Sequence, residues 1–260
     1  LFVRKKILFF YIPHCISYIR KDIGYLKKFF FILLELIASL KKCVIIACSK
    51  SELKQIRKYI KSSPSYLVEN AVENDFLKLQ QPENKNIKSI ITVGSIRAQK
   101  DPKNFAKIAK KVLEQDKDIS FTWVGDGDEQ FKKDLIQSGV NITGMLNKVD
   151  VKNKLLNSTL YVSTALWEAM PISILEALAS GLPVIAYNCP GNADIIKDKD
   201  IGFIFNNNNE AEEMILKLIN NKKEIDRMSL KAINIVNTWF NFERYNKDVK
   251  DIIKETEDSN

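Results

Sequence analysis

Four apolar runs in this chain are each followed by residues suited to holding a charged, oxygen-rich ligand. After Val93 come Gly94, Ser95, Arg97 and Lys100; after Val124 come Gly125, Asp126 and Gly127. After Thr164 come Trp167, Glu168, Ala169, Met170 and Pro171, and after Tyr187 come Asn188, Pro190 and Gly191. Arg97 offers a planar fork of N–H donors and Lys100 a point charge. The glycines permit close backbone approach. A helix starting near Pro171 presents unpaired N–H groups, an anion site in its own right. A diphosphate suits this mouth. Glu168 and Glu176, eight residues apart, add carboxylates that accept hydrogen bonds from sugar hydroxyls, two at once from a vicinal diol. Gly125 and Gly127 alone also read as a plain turn. His14, the only histidine, also reads as a satisfied structural residue.

These residues need a scaffold that gathers the ends of the runs. Segments 88–93, 120–124, 141–143, 160–164, 183–187 and 202–205 read as short strands. Helices are expected over 101–115, with Asp101 as N-cap and Pro102 as its first residue, and near 129–138 and 150–157. Another ends at the C′ glycine Gly181, and a short one surrounds 190–196. Two or three more close the chain, near 210–220, 222–236 and 242–256. Strand alternating with helix argues an α/β fold, a parallel sheet with helices on both faces and its ligand at the carboxyl ends of the strands. Ahead of this, 7–12 reads as a strand, then Pro13-His14, then a helix to about Leu40. A strand follows at 43–49, ending at a helix cap on Ser49 or Ser51, and a last short strand at 66–70. The polar stretch 74–86, with Pro82, is the expected boundary.

Composition narrows the class. The chain has 260 residues, 45% apolar and 28% charged, with a net charge of +8. Residues 1–61 carry 14 Lys and Arg against 3 Asp and Glu, leaving the remainder at −3. A basic front unit fits an anionic lipid surface or a phosphate-bearing acceptor, and equally a solvated basic face. Nucleic acid is not expected as a partner, because no recognition motif accompanies the charge. The run FFFILLELIASL is too short to span a bilayer and contains Glu35. It reads as a buried helix, with an interfacial amphipathic helix as the second reading. No signal-peptide cleavage site follows the first apolar run. Cys15, Cys43, Cys48 and Cys189 form no C-x-x-C pair, which points to a reducing compartment. With a single histidine, a structural zinc site is not expected. The first residue is Leu1 rather than Met, so the chain is expected to lack its beginning.

The stretch WEAMPISILEALASGLPVIAYNCPGNADII resembles the signature of family 4 glycosyltransferases, of the group 1 type and the GT-B fold. Glu168 and Glu176 match its paired glutamates, residues 177–186 its A-x-A-x-G-x-P-V-I-A run, and residues 190–195 its P-G turn. The likeness extends through ITVGSIRAQKDPKNF and WVGDGDE, over about residues 66–258, and more loosely over 8–66. It implies a Rossmann-like donor domain at 76–240 and the C-terminal part of a second Rossmann-like, acceptor-binding domain at 1–75. A helix at 241–260 would return toward that acceptor domain. It also implies a retaining transfer from a nucleotide-diphosphate sugar, UDP by frequency, without an essential metal or other cofactor. Glu176 would bind the ribose hydroxyls, Glu168 the donor sugar, and Lys100 the diphosphate as charge develops. His14, in a loop resembling the family's histidine loop, would reach the sugar or the diphosphate. His14, Glu168 and Lys100 are thus the catalytic candidates. The donor set comprises Gly94, Ser95, Arg97, Lys100, Gly125 and Gly127, then Glu168, Ala169, Met170, Pro171, Ile172 and Glu176. Ser95, Ala169 and Asp194 stand where the family prefers Arg, Gly and Glu.

The acceptor implied is a cell-surface polysaccharide or a lipid-linked precursor, met in the cytoplasm or peripherally at the inner, anionic face of the plasma membrane. A nucleotide-sugar-binding module or an epimerase of the same fold is the alternative. A further α/β unit is expected before Leu1, and this chain alone is expected to transfer poorly.

Overall fold

In the structure, a computed structural model, residues 9–40, 43–77, 88–197 and 200–258 are described. A small parallel sheet comes first: β1 (Phe9–Tyr11), β2 (Cys43–Ala47) and β3 (Ser65–Leu67), in that order. It is threaded by α1 (Tyr25–Ser39) and α2 (Lys50–Tyr59), and α3 (Asn74–Leu77) follows. The second part alternates β4 (Ser89–Val93), α4 (Pro102–Gln115), β5 (Ser120–Val124), α5 (Glu129–Gln137), β6 (Val140–Ile142) and α6 (Lys148–Leu156). It continues with β7 (Leu160–Ser163), α7 (Ile172–Ala179), β8 (Val184–Tyr187), α8 (Pro190–Ile196) and β9 (Gly202–Phe205). The helices α9 (Asn208–Ile219), α10 (Lys222–Thr238) and α11 (Phe242–Asp258) complete the described chain.

Strands β4 to β9 form one parallel sheet in the order β6-β5-β4-β7-β8-β9. Successive side chains on each strand point to opposite faces. Ile91, Tyr161 and Val184 therefore join α7 and α10 on one face, while Ile90, Leu160 and Ile185 join α4 and α9 on the other. Burial on both faces explains why these strands read as continuous apolar runs. The chain winds one way from β4 to β6 and the other way from β7 to β9. The crevice between the ends of β4 and β7 is thus the topological switch point, where ligands of such sheets bind.

The helix starts follow side-chain chemistry. Asp101 caps α4 from a left-handed conformation (φ 51°), accepting from Asn104 N, and Asp128 caps α5 by accepting from Gln130 N and Phe131 N. Ser49, rather than Ser51, caps α2.

Two expectations fail in the front unit. The helix expected from Pro13-His14 onward starts only at Tyr25, after Gly24; a single 3-10 turn, residues 17–19, precedes it. The cause is a remote side chain. Buried Glu52 takes the N–H groups of Cys15 and Ile16, both at 2.9 Å, and holds His14 and Cys15 at φ 47° and 97°, outside helical space. Nor is α1 buried. Only its inner side, including Phe31 and Ile32, packs on the small core, while Leu26 is 88% and Phe29 67% exposed. Among the described residues, no helix is long and apolar enough to cross a membrane. Most of the expected boundary at 74–86 lies outside the described residues.

The small sheet is covered on one face by α2 and the turn at 17–19, through Ile45, Ile56 and Tyr18. On the other face lies α11, whose Tyr245, Val249 and Ile252 meet Val44, Ile46 and Val68.

Candidate functional site

The switch point is built from three loops that hold one another. The loop after β4 is zipped to the loop after β5: Gly94 N donates to Val124 O, Ile96 N to Asp126 O and Asp128 N to Ile96 O, at 2.8–2.9 Å. The backbones come so close that a Cβ on Gly125 would lie 2.2 Å from Gly94 O, and Gly125 has φ 142°. Glycine is thus required at 125 by loop contact, without reference to a ligand. Gly127 stands equally close to Ile96 O. The loop after β4 is also tied to the loop after β7, since Leu166 N donates to Gln99 O and Gln99 Nε2 to Trp167 O, each at 2.9 Å. Thr164 Oγ1 donates to Lys100 O at 2.7 Å.

These ties bring two sequence candidates together. Lys100 Nζ lies 2.6 Å from Glu168 Oε1, with the side chains 18% and 12% exposed. Lys100 also passes under Gly94, whose hypothetical Cβ would meet Lys100 Cε at 3.2 Å. Beside the pair opens a cleft of about 420 Å³. Its large-sheet wall includes Arg97, Gln99, Trp167 and Glu168, and its other wall His14, Cys15, Arg20 and Asp22 from the front unit. His14, 154 residues from Glu168 in the chain, therefore faces the same space. Burial pushes the thiols of Cys15 and Cys189 each up to about 11, with Glu52 adding to the first and Glu168 to both. Neither thiol is a nucleophile at neutral pH.

The loop 167–171 is braced from two sides. Gly191 N donates to Glu168 O at 3.2 Å, and a Cβ on Gly191 would come within 2.5 Å of Ala169 O. Asn70 of the front unit donates from Nδ2 to Met170 O at 2.9 Å. Ala169 and Met170 are buried. Pro171 is the N-cap of α7 rather than its first residue, so the free N–H groups of the first turn begin with Ile172.

Glu176 stands apart from the His14 cleft. Among the described residues its carboxylate accepts no hydrogen bond, and its charged neighbours are Glu73 and Lys148, themselves paired at 2.5 Å. Its pKa is pushed up to about 7, first by burial and then by Glu73, with Lys148 opposing. A carboxyl with unused acceptor capacity is what a diol would complete. Ser95 is exposed at the end of β4 and does not line the cleft. Among the described residues, no three His, Cys, Asp or Glu side chains gather as a metal site.

Asn70, Gln99, Arg20, Asp22 and Glu52 were not singled out in the sequence. Each acts across more than thirty residues or from an irregular loop, so no local spacing marks it.

Residues 73–234 match the family described as glycosyl transferases group 1. The UDP-Gal:alpha-D-GlcNAc-diphosphoundecaprenol alpha-1,3-galactosyltransferase of Escherichia coli is 32% identical over 170 residues, 62% of this chain and 43% of that enzyme. An uncharacterized glycosyltransferase of Haemophilus influenzae is 29% identical over 143 residues, 53% of this chain and 39% of that protein. The chain thus spans less than half the length of these relatives. Sucrose-phosphate synthase of Thermosynechococcus elongatus superposes with a TM-score of 0.83 at 15% identity, covering 99% of this chain and 70% of that one. TarM of S. aureus, crystallised with UDP and alpha-GlcNAc-glycerol, superposes at 0.79 with 18% identity, over 93% and 50%. These likenesses place the fold among GT-B structures.

Proposed function

Because the chain belongs to the group 1 glycosyl transferases, we propose that it forms the donor side, and part of the acceptor side, of an enzyme moving a sugar from a UDP-sugar to a polysaccharide or lipid-linked acceptor. The observation that carries this reading is the Lys100–Glu168 pair at the β4/β7 switch point, facing His14 across the cleft. The names of the compared proteins support the donor class: UDP-Gal for the E. coli enzyme and bound UDP for TarM.

In this reading the ribose diol completes Glu176, and the diphosphate takes Lys100 and Arg97. The sugar lies between Glu168 and His14. The C1–O bond to the β-phosphate breaks while the acceptor oxygen bonds to C1 on the same face. Same-face attack retains the configuration, and the acceptor proton passes to the departing phosphate oxygen. Lys100 and the N–H groups at the start of α7 stabilise the charge on the leaving group. The diphosphoundecaprenol acceptor in the name of the E. coli relative supports action on a lipid-linked acceptor at a membrane.

Calorimetric titration with UDP and with GDP, beside a Glu176→Ala variant, tests the donor site. UDP is expected to bind more tightly, and the variant to lose that binding. Equal affinities, or an unaffected variant, would overturn the reading.

A further inference from the structure

A second cavity, about 670 Å³, lies between α1 and α2, with Pro190 of α8 also in its lining. Its floor and sides are aromatic: Tyr18, Tyr25, Phe29 and Tyr59. Tyr25 is 93% exposed, so this surface is uncovered. Tyr18 is 95% buried, and its hydroxyl has no hydrogen-bond partner among the described residues. Around the aromatic floor stand Lys21, Lys28 and Lys54. Among the described residues none of the three pairs with a carboxylate; Lys21 only lies over the Tyr187 ring, 5.4 Å from its centroid. Unpaired ammonium groups beside uncovered aromatic surface are complementary to a hydrocarbon chain ending in a phosphate.

The groove is joined to the reaction cleft by one stretch of backbone. Residues 19–22 form a shared wall: Ile19 and Lys21 line the groove, Arg20 and Asp22 the cleft. A phosphate held at Lys21 is therefore one residue from the space facing Glu168.

We propose that this groove binds the lipid phosphate of the acceptor: a single amphiphile whose isoprenoid or acyl chain lies over the aromatic floor, whose phosphate or diphosphate takes Lys21, Lys28 and Lys54, and whose sugar enters the cleft past Arg20. The proposal rests on the transferase reading for the amphiphile's role as acceptor; the binding site itself is testable without it. The occupant is one lipid molecule, not a bilayer surface.

Farnesyl diphosphate, below its micellar concentration, serves as the probe in calorimetry on the whole chain. It is expected to bind at least tenfold more tightly than either inorganic diphosphate or farnesol. A triple variant, Lys21→Ala, Lys28→Ala and Lys54→Ala, is expected to lose at least tenfold of that affinity while binding UDP as the unaltered chain does. Three results would overturn the proposal: inorganic diphosphate or farnesol binding as well as the amphiphile, undiminished binding by the triple variant, or binding only to phosphatidylglycerol vesicles with none to the monomeric probe. The vesicle result would make the face a membrane-docking surface. Glu176→Ala separates the two readings, since it is expected to lose UDP and keep farnesyl diphosphate. Loss of UDP binding in the unaltered chain with farnesyl diphosphate still bound would sink the donor site alone.

Discussion

Lys100 Nζ rests 2.6 Å from Glu168 Oε1, across the point where the strand order of the large sheet turns back. Before any ligand arrives, the cation placed for a diphosphate is already neutralised by the carboxylate placed for a sugar. Binding a dianion there means sharing Lys100 between two partners. Glu168→Gln keeps the shape and removes the competitor, so it is expected to tighten UDP binding by about fivefold, on the order of 1 kcal/mol for a partly screened charge. Lys100→Ala is expected to weaken it by roughly 10–100-fold, the loss of a charged hydrogen bond of about 1.5–3 kcal/mol. Titration of both variants settles the matter; weaker UDP binding by Glu168→Gln would show that the carboxylate is not a competitor.

Glu176 gives the fold a pH dependence of defined sign. Its pKa rises from 4.5 to about 7 on folding, first through burial. The folded chain therefore keeps the proton where the unfolded chain has released it. The associated stability is complete below about pH 4.5 and is lost as pH climbs through about 7, roughly 3 kcal/mol in all. Denaturant unfolding from pH 5 to 8 should show Glu176→Gln gaining on the unaltered chain as pH rises. A constant gap would mean the carboxyl titrates normally.

The same carboxyl couples nucleotide to proton. Hydrogen bonds from a diol favour the ionised form, so binding at pH 6.5 should release a proton from Glu176. Calorimetry in buffers of different ionisation enthalpy reads this release directly. It should exceed that of Glu176→Gln, in which only the nucleotide's phosphate titrates; equal release would place the diol elsewhere.

Gly191 carries the loop that bears Glu168. A methyl group at this position would press within 2.5 Å of Ala169 O, so Gly191→Ala must displace residues 168–169. Donor binding is expected to fall at least tenfold, on the order of the 1.4 kcal/mol or more that such a factor represents. Gly24→Ala is the control, because its Cβ would meet nothing within 4 Å; its UDP affinity should be unchanged. Equal behaviour of the two variants would count against loop positioning.

Asn70 joins the front unit to the loop before α7 by its 2.9 Å bond to Met170 O. Asn70→Ala leaves a buried carbonyl unpaired and is expected to cost about 1–3 kcal/mol together with weaker UDP binding. Unfolding and titration measure the two effects. Full stability with normal affinity would show the bond to be dispensable.

The large sheet was legible because its signals are local. Asp101-Pro102 announces a helix start, and Gly181, at φ 68°, ends α7. Uninterrupted apolar runs announce strands covered on both faces. Once the strands are known, the switch point follows, and with it the neighbourhood of Lys100 and Glu168. The front unit was less legible because its shape is set at a distance. Nothing around His14 shows that Glu52 takes the next two N–H groups and prevents a helix. The outer face of α1 read as buried because an apolar dodecamer carries no mark of what it packs against.

The packing of α11 on the small sheet has a consequence for the making of the protein. Val44 and Ile46 leave the ribosome some 200 residues before Ile252, which covers them. At bacterial to eukaryotic elongation rates of about 5–20 residues per second, that is a wait of roughly 10–40 s. For that interval one face of β2 lacks the helix that covers it in the finished fold. Slowing translation through the α9–α10 codons should lower the soluble yield without changing a single contact of the finished fold.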